Sequence, residues 1–547
     1  MFSLCDFYKN IVNLTKNIIN KITVNRKPNT NAVKQKKQPP KNTPRSKIMR
    51  FYFNDPYYPE LIGVIDNPKP IGLNIAVDNL VPGEHPFDSP QGLACNSYAI
   101  LCQGINIFNS LFHLTKWASA NSIRVIPNAG VQANAFYDRR YFKFFHFESN
   151  GKKIYTSLSA DIVLHELGHG LLDAIRPDLF SAASSEVWAF HESFGDINSI
   201  ICSLHFDPII DRMLSETNSN LKQSNIVSKV AEEFGVGLGS LCGLREAFND
   251  FKYVSPNTLP KSAPNGGLSS EVHSFSRIMT GIFYEVLCDI YEKLGKNKEA
   301  LLKTRDYLKQ TFYMACTKAP CSPNFFETFC ESWLDEDAKM SVSHKDVLVR
   351  VFTNRSIFRM SKMNVNDVNV EKQKLMTNLS EKVRFDKYLY EMSVKDLFAD
   401  SVFPLGNEEY ADMKVQLAVD EMYMKSDFFT WQKVSSPFEE SKIAAKNLLE
   451  YIFENKLIGK DEESMWYKND NNTLTRRFFQ CDCYMNNCKF EGNPEYGKCW
   501  KPKNNSGCCT YGSCANLKQE TSKKIEKTCN VRYSSSCGST KYNTKCR

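Results

Sequence analysis

The chain has 547 residues, of which 42% are hydrophobic and 12% aromatic, and its formal net charge is +8. This length exceeds what one hydrophobic core organises, so we expect two to four folded units. The charge is uneven, since residues 25–50 carry nine Lys/Arg and no acid, and residues 481–547 carry twelve Lys/Arg and five acids. The body at 51–480 is therefore net acidic, and we expect no dedicated nucleic-acid site on it.

The first 50 residues are predicted to form an amphipathic N-terminal segment and a basic disordered linker. In residues 1–24, Lys and Asn interrupt every apolar run, whereas a secretory signal needs roughly 7–15 unbroken apolar residues. No segment of the chain reaches the ~20 apolar residues of a membrane span. We predict that this first segment docks to a partner or a membrane surface, and that the Pro- and Lys-rich stretch at 25–50 lacks a fold.

Three regions follow in the acidic body. Residues 51–158 alternate strand-like pieces such as "LIGVI" and "IRVIP" with one helical stretch, 96–118, and are predicted to form the N-terminal lobe of a domain. Residues 159–350 have helical periodicity and are predicted to form a zinc-binding lobe. Residues 351–480 are predicted to form an accessory α+β region. There "MKVQLAVDE" alternates like a half-buried strand, and Ser436, Pro437 and Gly459 bracket a helix.

The last 67 residues are predicted to form a cysteine-rich module. Ten of the nineteen cysteines lie in 481–547, where large aliphatic residues are few, so disulfides would replace a core. A zinc module is the alternative, although paired C-x2-C knuckles are missing. Disulfides indicate an oxidising environment, yet no signal peptide is visible. Export by an unusual route, oxidation inside a virion-like particle, or metal-bound thiols would each reconcile these two observations, so the compartment stays open. The other nine cysteines, such as Cys202 and Cys288, are predicted to be buried thiols.

The stretch "LHELGHGLLDAIRPDLF" at 164–180 contains an H-E-x-x-H motif. On a helix His165 and His169 lie on one face, one turn apart, so both imidazoles can bind one ion. Glu166 then lies beside the open side of that ion and can accept a proton from water. Ser159 is the predicted N-cap of this helix. The motif therefore predicts a Zn²⁺ site on this helix. Gly168 lowers the stability of the helix by roughly 1 kcal/mol relative to alanine.

A third metal ligand is predicted in "SEVWAFHESFGDINSI". Glu192 lies 23 residues after His169, and Asp196 follows one turn later on the same helix face. We predict Glu192 as the third ligand and Asp196 as the hydrogen-bond acceptor that orients a ligand histidine. His191 is a competing ligand, but it lies about 100° away from Glu192 around the helix.

These residues resemble the gluzincin metallopeptidases, and in particular the thermolysin-like enzymes. "NAFY" at Asn134–Tyr137 is similar to that family's edge strand, which pairs with the substrate backbone, and this implies substrate binding by Asn134 and Ala135. "NGGLSSEVHSFSRIMTGIFY" at 265–284 is similar to the segment whose histidine hydrogen-bonds the developing oxyanion, which implies that role for His273.

The resemblance covers about residues 60–350 and implies an α+β, thermolysin-like zincin fold. Its N-terminal lobe contains a mixed or antiparallel sheet, its C-terminal lobe is helical, and the zinc cleft lies between the lobes. Among the details that differ from thermolysin, two concern the oxyanion: Phe180 stands near the position of an oxyanion-stabilising tyrosine, and Glu271 is only one candidate for the acid that orients His273. Alternatives stay open for Asn134 as a turn residue, His273 as a helix-start residue and Asp196 as a surface acid.

The predicted function is a zinc metallopeptidase, specifically a metalloendopeptidase acting on peptide or protein substrates. It would use a metal-activated water with Glu166 as general base. One alternative is a weakly active or inactive zincin-fold interaction or structural protein with a cysteine-rich binding tail. Another is a latent enzyme whose cleft is covered by the tail or by the basic arm at 25–50.

Overall fold

The computed structural model describes seven ranges of the chain: 47–240, 243–262, 267–358, 389–404, 406–418, 437–459 and 464–479. The predicted N-terminal segment, most of the basic linker, Ser436 and the cysteine-rich module lie outside these ranges. Across the described ranges, none of the helices combines the length and apolar character that crossing a membrane requires. The described residues all belong to one unit, Ser46–Arg547.

The N-terminal lobe consists of eight strands and one long helix. The strands are β1 (Ile48–Tyr52), β2 (Ile62–Asp66), β3 (Asn74–Val77), β4 (Ser122–Ile126), β5 (Ala135–Tyr137), β6 (Tyr141–Phe144), β7 (His146–Ser149) and β8 (Lys152–Tyr155). Helix α1 (Pro90–Phe112) begins six residues before the predicted helical stretch, because Ser89 caps it and Pro90 occupies its first position. It ends before His113, which adopts a left-handed conformation with φ of 52°.

A mixed five-stranded sheet holds this lobe together, with strand order β15-β5-β6-β4-β3. Strands β3, β4 and β6 are parallel, and β5 is antiparallel to β6 with Phe136 opposite Lys143. The outermost strand, β15 (Phe478–Phe479), comes from the far end of the described chain and pairs antiparallel with β5. The free edge that sequence reasoning assigned to a substrate strand is therefore occupied by a distant segment of the same chain.

The second lobe is helical. Its helices are α2 (Ala160–Ile175), α3 (Pro177–Ser181), α4 (Ser185–Ser203), α5 (Asp207–Glu216), α6 (Glu232–Gly237), α7 (Val272–Leu294), α8 (Lys298–Lys318), α9 (Phe325–Asp337) and α10 (Lys345–Asn354), with a ribbon of β9 (Lys229–Val230) and β10 (Arg245–Glu246). Helix α4 is buried along nearly its whole length and packs between α2 and α7. Its position places polar residues of three helices around one buried point.

Close backbone packing brings α2 and α4 together. The side chain of Ser159 accepts a hydrogen bond from the Ile162 amide, which confirms the predicted N-cap of α2. A Cβ on Gly168 would lie 2.9 Å from the Cα of Gly195, and a Cβ on Gly195 would lie 2.7 Å from the ring of His165. The two glycines therefore let the helices approach more closely than side chains would permit.

The accessory region packs on the helical lobe. It contains β11 (Leu389–Ser393), α11 (Val394–Leu397), β12 (Lys414–Ala418), α12 (Pro437–Glu454) and a hairpin of β13 (Trp466–Lys468) and β14 (Leu474–Arg476). The predicted alternation in β12 holds from Lys414, which is exposed, to Leu417, since Val415 and Leu417 are buried and Gln416 is half-buried, but Ala418 is buried as well. Helix α12 begins at Pro437 as predicted, but it ends at Glu454, before Gly459.

These elements give an α+β protein with a sheet-containing N-terminal lobe and a helical second lobe, as predicted. One continuous apolar core runs through both lobes and the accessory region. The described cysteines, including Cys202 and Cys288, are buried and form no disulfides with one another, as predicted for the scattered thiols. Burial raises the pKa of the Cys202 thiol to about 12, which keeps it protonated.

Candidate metal centre and active site

Three side chains from two helices converge on one buried point. Nε2 of His165 and Nε2 of His169 lie 3.0 Å apart, and Oε2 of Glu192 lies 3.4 Å from the first and 3.7 Å from the second. The two histidines are fully buried and Glu192 is 1% exposed. Among the described residues, these three form the one His/Cys/Asp/Glu group compact enough to hold a metal ion.

This arrangement fits zinc. Donor atoms about 2.1 Å from a tetrahedral zinc ion lie roughly 3.4 Å from one another, close to the three separations here. Oε2 of Glu192 has no hydrogen-bond partner among the described residues although it is buried. Two imidazole nitrogens and a carboxylate are a donor set that zinc prefers. A buried carboxylate oxygen facing two imidazole nitrogens is stabilised by a cation bound among them.

Glu166 lies beside this cluster and has no structural bonding role. Both of its carboxylate oxygens are buried and lack a hydrogen-bond partner among the described residues. Burial, together with the negative charge of Glu192, raises the pKa of Glu166 to about 8. A positive charge at the cluster would favour the ionised form. The Glu166 carboxylate therefore lies beside the cluster, where no hydrogen bond from the described residues competes with its acceptance of a proton.

A buried ion pair orients His165. Nδ1 of His165 lies 2.8 Å from Oδ1 of Asp196, and the guanidinium of Arg245 donates to both oxygens of Asp196 at 2.6 and 2.9 Å. Burial disfavours charge on Asp196, but Arg245 and His165 outweigh it and hold the pKa of that carboxyl below its usual range. Asp196 is thus a buried hydrogen-bond acceptor and is not the surface acid of the alternative interpretation.

His191 contacts the other ligand histidine. Its Nδ1 lies 2.9 Å from Nδ1 of His169, on the side away from the metal cluster. Burial lowers the pKa of His191 well below its usual value, so the ring is neutral and can accept a hydrogen bond. The structure therefore places His191 behind His169 and outside the three-residue ligand group.

His273 approaches the cluster from the start of α7. Its Nε2 lies 3.4 Å from Oε2 of Glu192, and its Nδ1 lies 2.8 Å from Oε1 of Glu271, the residue that caps the helix. Burial opposes a charge on His273, but the carboxylates of Glu192 and Glu271 prevail and raise its pKa to about 10. Its Nε2 therefore carries a proton and faces the cluster, with Glu271 in the orienting position that sequence reasoning had considered.

The predicted substrate strand lies next to α2. Asn134 and Ala135 are fully buried, and the Asn134 side chain accepts a hydrogen bond from the Ala135 amide at 2.9 Å. Nδ2 of Asn134 has no partner among the described residues. Tyr137, on the same strand, donates to Asp173 of α2 at 2.8 Å, which fixes the strand against the zinc-motif helix.

Two residues near the end of the described chain complete the site. Nη2 of Arg476 lies 2.8 Å from Oε1 of Glu192, and both side chains are buried. The ring of Phe478 lies 4.5 Å from that of His169 and 4.1 Å from that of His191. Sequence reasoning missed Arg476 and Phe478, since "LTRRFF" carries no motif, and it also missed Arg245, which lies in an unremarkable stretch, "GLREAF".

The two lobes and the buried His-His-Glu cluster define a thermolysin-like zincin of the gluzincin type. Residues 119–358 match the family model of the fungalysin metallopeptidases (M36), so this part of the chain is similar to the peptidase domain of that family. A search of curated proteins returned no match to the chain. The matched range contains all eight residues that the sequence nominated for the site: Asn134, Ala135, His165, Glu166, His169, Glu192, Asp196 and His273. Arg476 and Phe478 lie outside it.

Proposed function

We propose that this protein is a zinc-dependent metalloendopeptidase in which His165, His169 and Glu192 hold the metal. When bound there, zinc polarises the scissile carbonyl and makes a water molecule acidic enough to attack it. The observation that carries the proposal is the compact, buried group of two imidazole nitrogens and one carboxylate oxygen, with separations of 3.0–3.7 Å. The family match over 119–358 supports the same reaction.

Glu166 is the proposed general base. It accepts a proton from the attacking water and then passes it to the leaving nitrogen, so that the peptide bond breaks as a neutral amine departs. The isolation of its carboxylate supports this role over a structural one, because neither oxygen has a hydrogen-bond partner among the described residues. An inactive scaffold would gain nothing from a buried, unpartnered glutamate.

His273 is the proposed electrophile. Its Nε2–H faces the cluster and donates to the substrate oxygen as negative charge develops on it, while Glu271 holds the ring in place. Nε2 of His273 lies 3.4 Å from Oε2 of Glu192, so this donor lies next to the group that would hold the metal. The hydroxyl that thermolysin supplies is not matched by Phe180, so His273 carries a larger share of this stabilisation.

Asn134 and Ala135 are proposed to align the substrate as an added strand. Nδ2 of Asn134, which has no partner among the described residues, would bond a substrate carbonyl, and the edge of β5 that β15 covers in this structure would supply backbone groups for pairing. Binding of an extended chain by backbone pairing supports cleavage within chains rather than at chain ends. Substrates are therefore proposed to be extended peptides or locally unfolded proteins.

The test is hydrolysis of a mixed library of quenched peptides by zinc-loaded protein. The matched control is Glu166→Gln at the same zinc content, which keeps the shape of the side chain and removes the base. The proposal predicts turnover that falls by about 10²–10⁴-fold in the variant. Equal and measurable turnover in both proteins would contradict the role of Glu166, and cleavage confined to terminal residues would contradict the endopeptidase assignment.

A further inference from the structure

A segment of the protein itself occupies the position proposed for the substrate. Strand β15 pairs antiparallel with the outer edge of β5, with Phe478 opposite Tyr137 and Phe479 opposite Phe136. The other edge of β5 is already bonded to β6, so one edge of the strand is available for an added chain and β15 takes it. Strand addition of this kind is how extended peptides bind to sheet edges.

The side chain of Phe478 fills a pocket against the candidate metal centre. Its ring lies 4.5 Å from the His169 ring, 4.1 Å from the His191 ring and 5.1 Å from the Phe180 ring, and it is fully buried. Strand pairing and an aromatic anchor in a pocket are the two components of specific peptide recognition. The segment therefore binds as a substrate side chain and backbone would.

Arg476 adds a charge contact to the metal ligand Glu192. Its Nη2 donates to Oε1 of Glu192 at 2.8 Å, while its Nε and Nη1 are buried without a hydrogen-bond partner among the described residues. Its guanidinium also lies 4.3 Å over the Phe478 ring. A strand needed only for packing would be at least as stable with an apolar residue here. The carboxylate of the metal centre is what this arginine recognises.

The segment is held by contacts of its hairpin with the helical lobe and with the accessory region. The rings of Trp466, on the same hairpin, and Trp188 of α4 have centroids 4.0 Å apart and are tilted by 40°. The Asn472 carbonyl accepts a hydrogen bond from the Lys414 amide at 2.8 Å. Within the described ranges, the indole nitrogens of Trp188 and Trp466 are both buried without a hydrogen-bond partner, which makes this contact weaker than its area implies. The hairpin is therefore docked on the helical lobe through Trp466 and on β12 through Asn472.

The closed site leaves no room for a second chain. His165, Glu166 and His169 are fully buried, and so are Asn134 and Ala135 of the substrate strand. We propose that residues 474–479 are a built-in pseudosubstrate that keeps the full chain latent until the hairpin is lifted or cut away. This inference rests on the proposed peptidase function, and it implies that substrates present an aromatic side chain where Phe478 now lies.

The first experiment compares the full chain with a released variant, Arg476→Ala with Phe478→Ser. The matched control is Lys468→Ala, an exposed position on the same hairpin. The probe is an N-acyl-phenylalanine hydroxamate, and its affinity is measured by calorimetry in a Glu166→Gln background, where nothing is hydrolysed. If the closed form makes up at least about 90% of the unaltered chain, release tightens probe binding by about tenfold or more. The control substitution leaves the probe affinity unchanged. Unchanged affinity in a folded released variant would overturn the proposal.

The second experiment needs no substitution in the segment. Hydrogen exchange is followed in the unaltered chain with and without a saturating concentration of the hydroxamate. Pseudosubstrate binding predicts that the amides of 474–479 exchange faster when the probe displaces them. If the probe binds while these amides keep their protection, the segment is a permanent part of the site and the proposal fails. This measurement decides the matter even if the released variant does not fold.

The two proposals fail in different ways. If the released variant binds the probe more tightly but, with Glu166 present, hydrolyses no peptide, residues 474–479 do cover the site and the proposed peptidase function is wrong. If the unaltered chain hydrolyses peptides and the released variant shows no gain in hydrolysis rate or probe affinity, the protein is a peptidase and the proposed latency is wrong. Both proposals together predict that release raises kcat/KM on peptides with phenylalanine by about the factor by which probe binding improves.

Discussion

His169 and His191 face each other through their Nδ1 atoms at 2.9 Å, one ring in the metal cluster and the other directly behind it. A histidine that binds metal through Nε2 carries its proton on Nδ1, so His169 must donate and neutral His191 must accept. We predict that His191→Phe lowers zinc affinity by about 10–100-fold. His191→Asn, which offers an amide oxygen, retains most of it. Competition with a chromophoric chelator measures both, and equal affinity in His191→Phe would contradict the pairing.

The Asp196–Arg245 ion pair is expected to matter for stability as well as for metal binding. Removing Arg245 leaves a buried carboxylate with His165 as its remaining partner, so Arg245→Met is predicted to lower the free energy of unfolding by about 3–5 kcal/mol. The matched control is Arg212→Met, because Arg212 makes exposed ion pairs with Glu60 and Glu216 and should cost at most about 1 kcal/mol. Urea denaturation of metal-free protein compares the two, and similar losses would refute the distinction.

Gly195 is predicted to be irreplaceable for the metal site. A Cβ there would lie 2.7 Å from the His165 ring, so Gly195→Ala must push that ring or separate α2 from α4. We expect a loss of about 1–3 kcal/mol in stability together with weakened zinc binding. Ser193→Ala, on the same helix, removes only hydrogen bonds to the carbonyls of Ala189 and Phe190 and serves as the control. Zinc binding by Gly195→Ala as tight as that of the unaltered protein would show that α2 and α4 can separate without damage to the site, which would contradict the prediction.

Stability is predicted to fall as pH rises towards neutrality. Glu186 is buried with two donors, Tyr253 and the Phe326 amide, and burial raises its pKa from 4.5 to about 7. Below pH 4.5 both the folded and unfolded states hold this proton, so the contribution is complete there. As pH rises to about 7 only the unfolded state releases it, which removes up to about 3 kcal/mol.

Glu186→Gln tests this sign, because the amide accepts from the Phe326 amide and donates to Tyr253. The variant should lose less stability than the unaltered protein between about pH 5 and 7.5, as measured by urea midpoints. Asp161, whose burial raises its pKa to about 7, adds dependence of the same sign in both proteins. The control is Glu84→Gln, at an exposed position. If the urea midpoints of Glu186→Gln and the unaltered protein change in parallel with pH, the prediction is contradicted.

The candidate metal centre was accessible to sequence reasoning because its residues are close in sequence or on one helix face. His165 and His169 are one turn apart, and Asp196 follows Glu192 by one turn, so helical periodicity alone places each pair. Ser159 was predictable as a cap for the same local reason. The fold class followed from the resemblance, which the family match over 119–358 supports.

Long-range contacts could not be predicted in this way. Arg476 reaches Glu192 across 284 positions of the sequence, and no periodicity connects them. The two-residue strand at Phe478 is too short to give an alternating pattern, so its pairing with β5 emerges only when the accessory region is placed. Gly168 and Gly195 illustrate the same limit, because a glycine that weakens a helix locally turns out to be required by a neighbouring helix.

Anomalous diffraction at the zinc edge, from crystals of zinc-saturated full chain, tests the central claim most directly. Zinc content alone does not decide it, because ten cysteines in 481–547 offer other ligands. We predict an anomalous peak about 2.0–2.2 Å from Nε2 of His165, Nε2 of His169 and Oε2 of Glu192. Zinc bound elsewhere, with this cluster empty at saturation, would contradict the account.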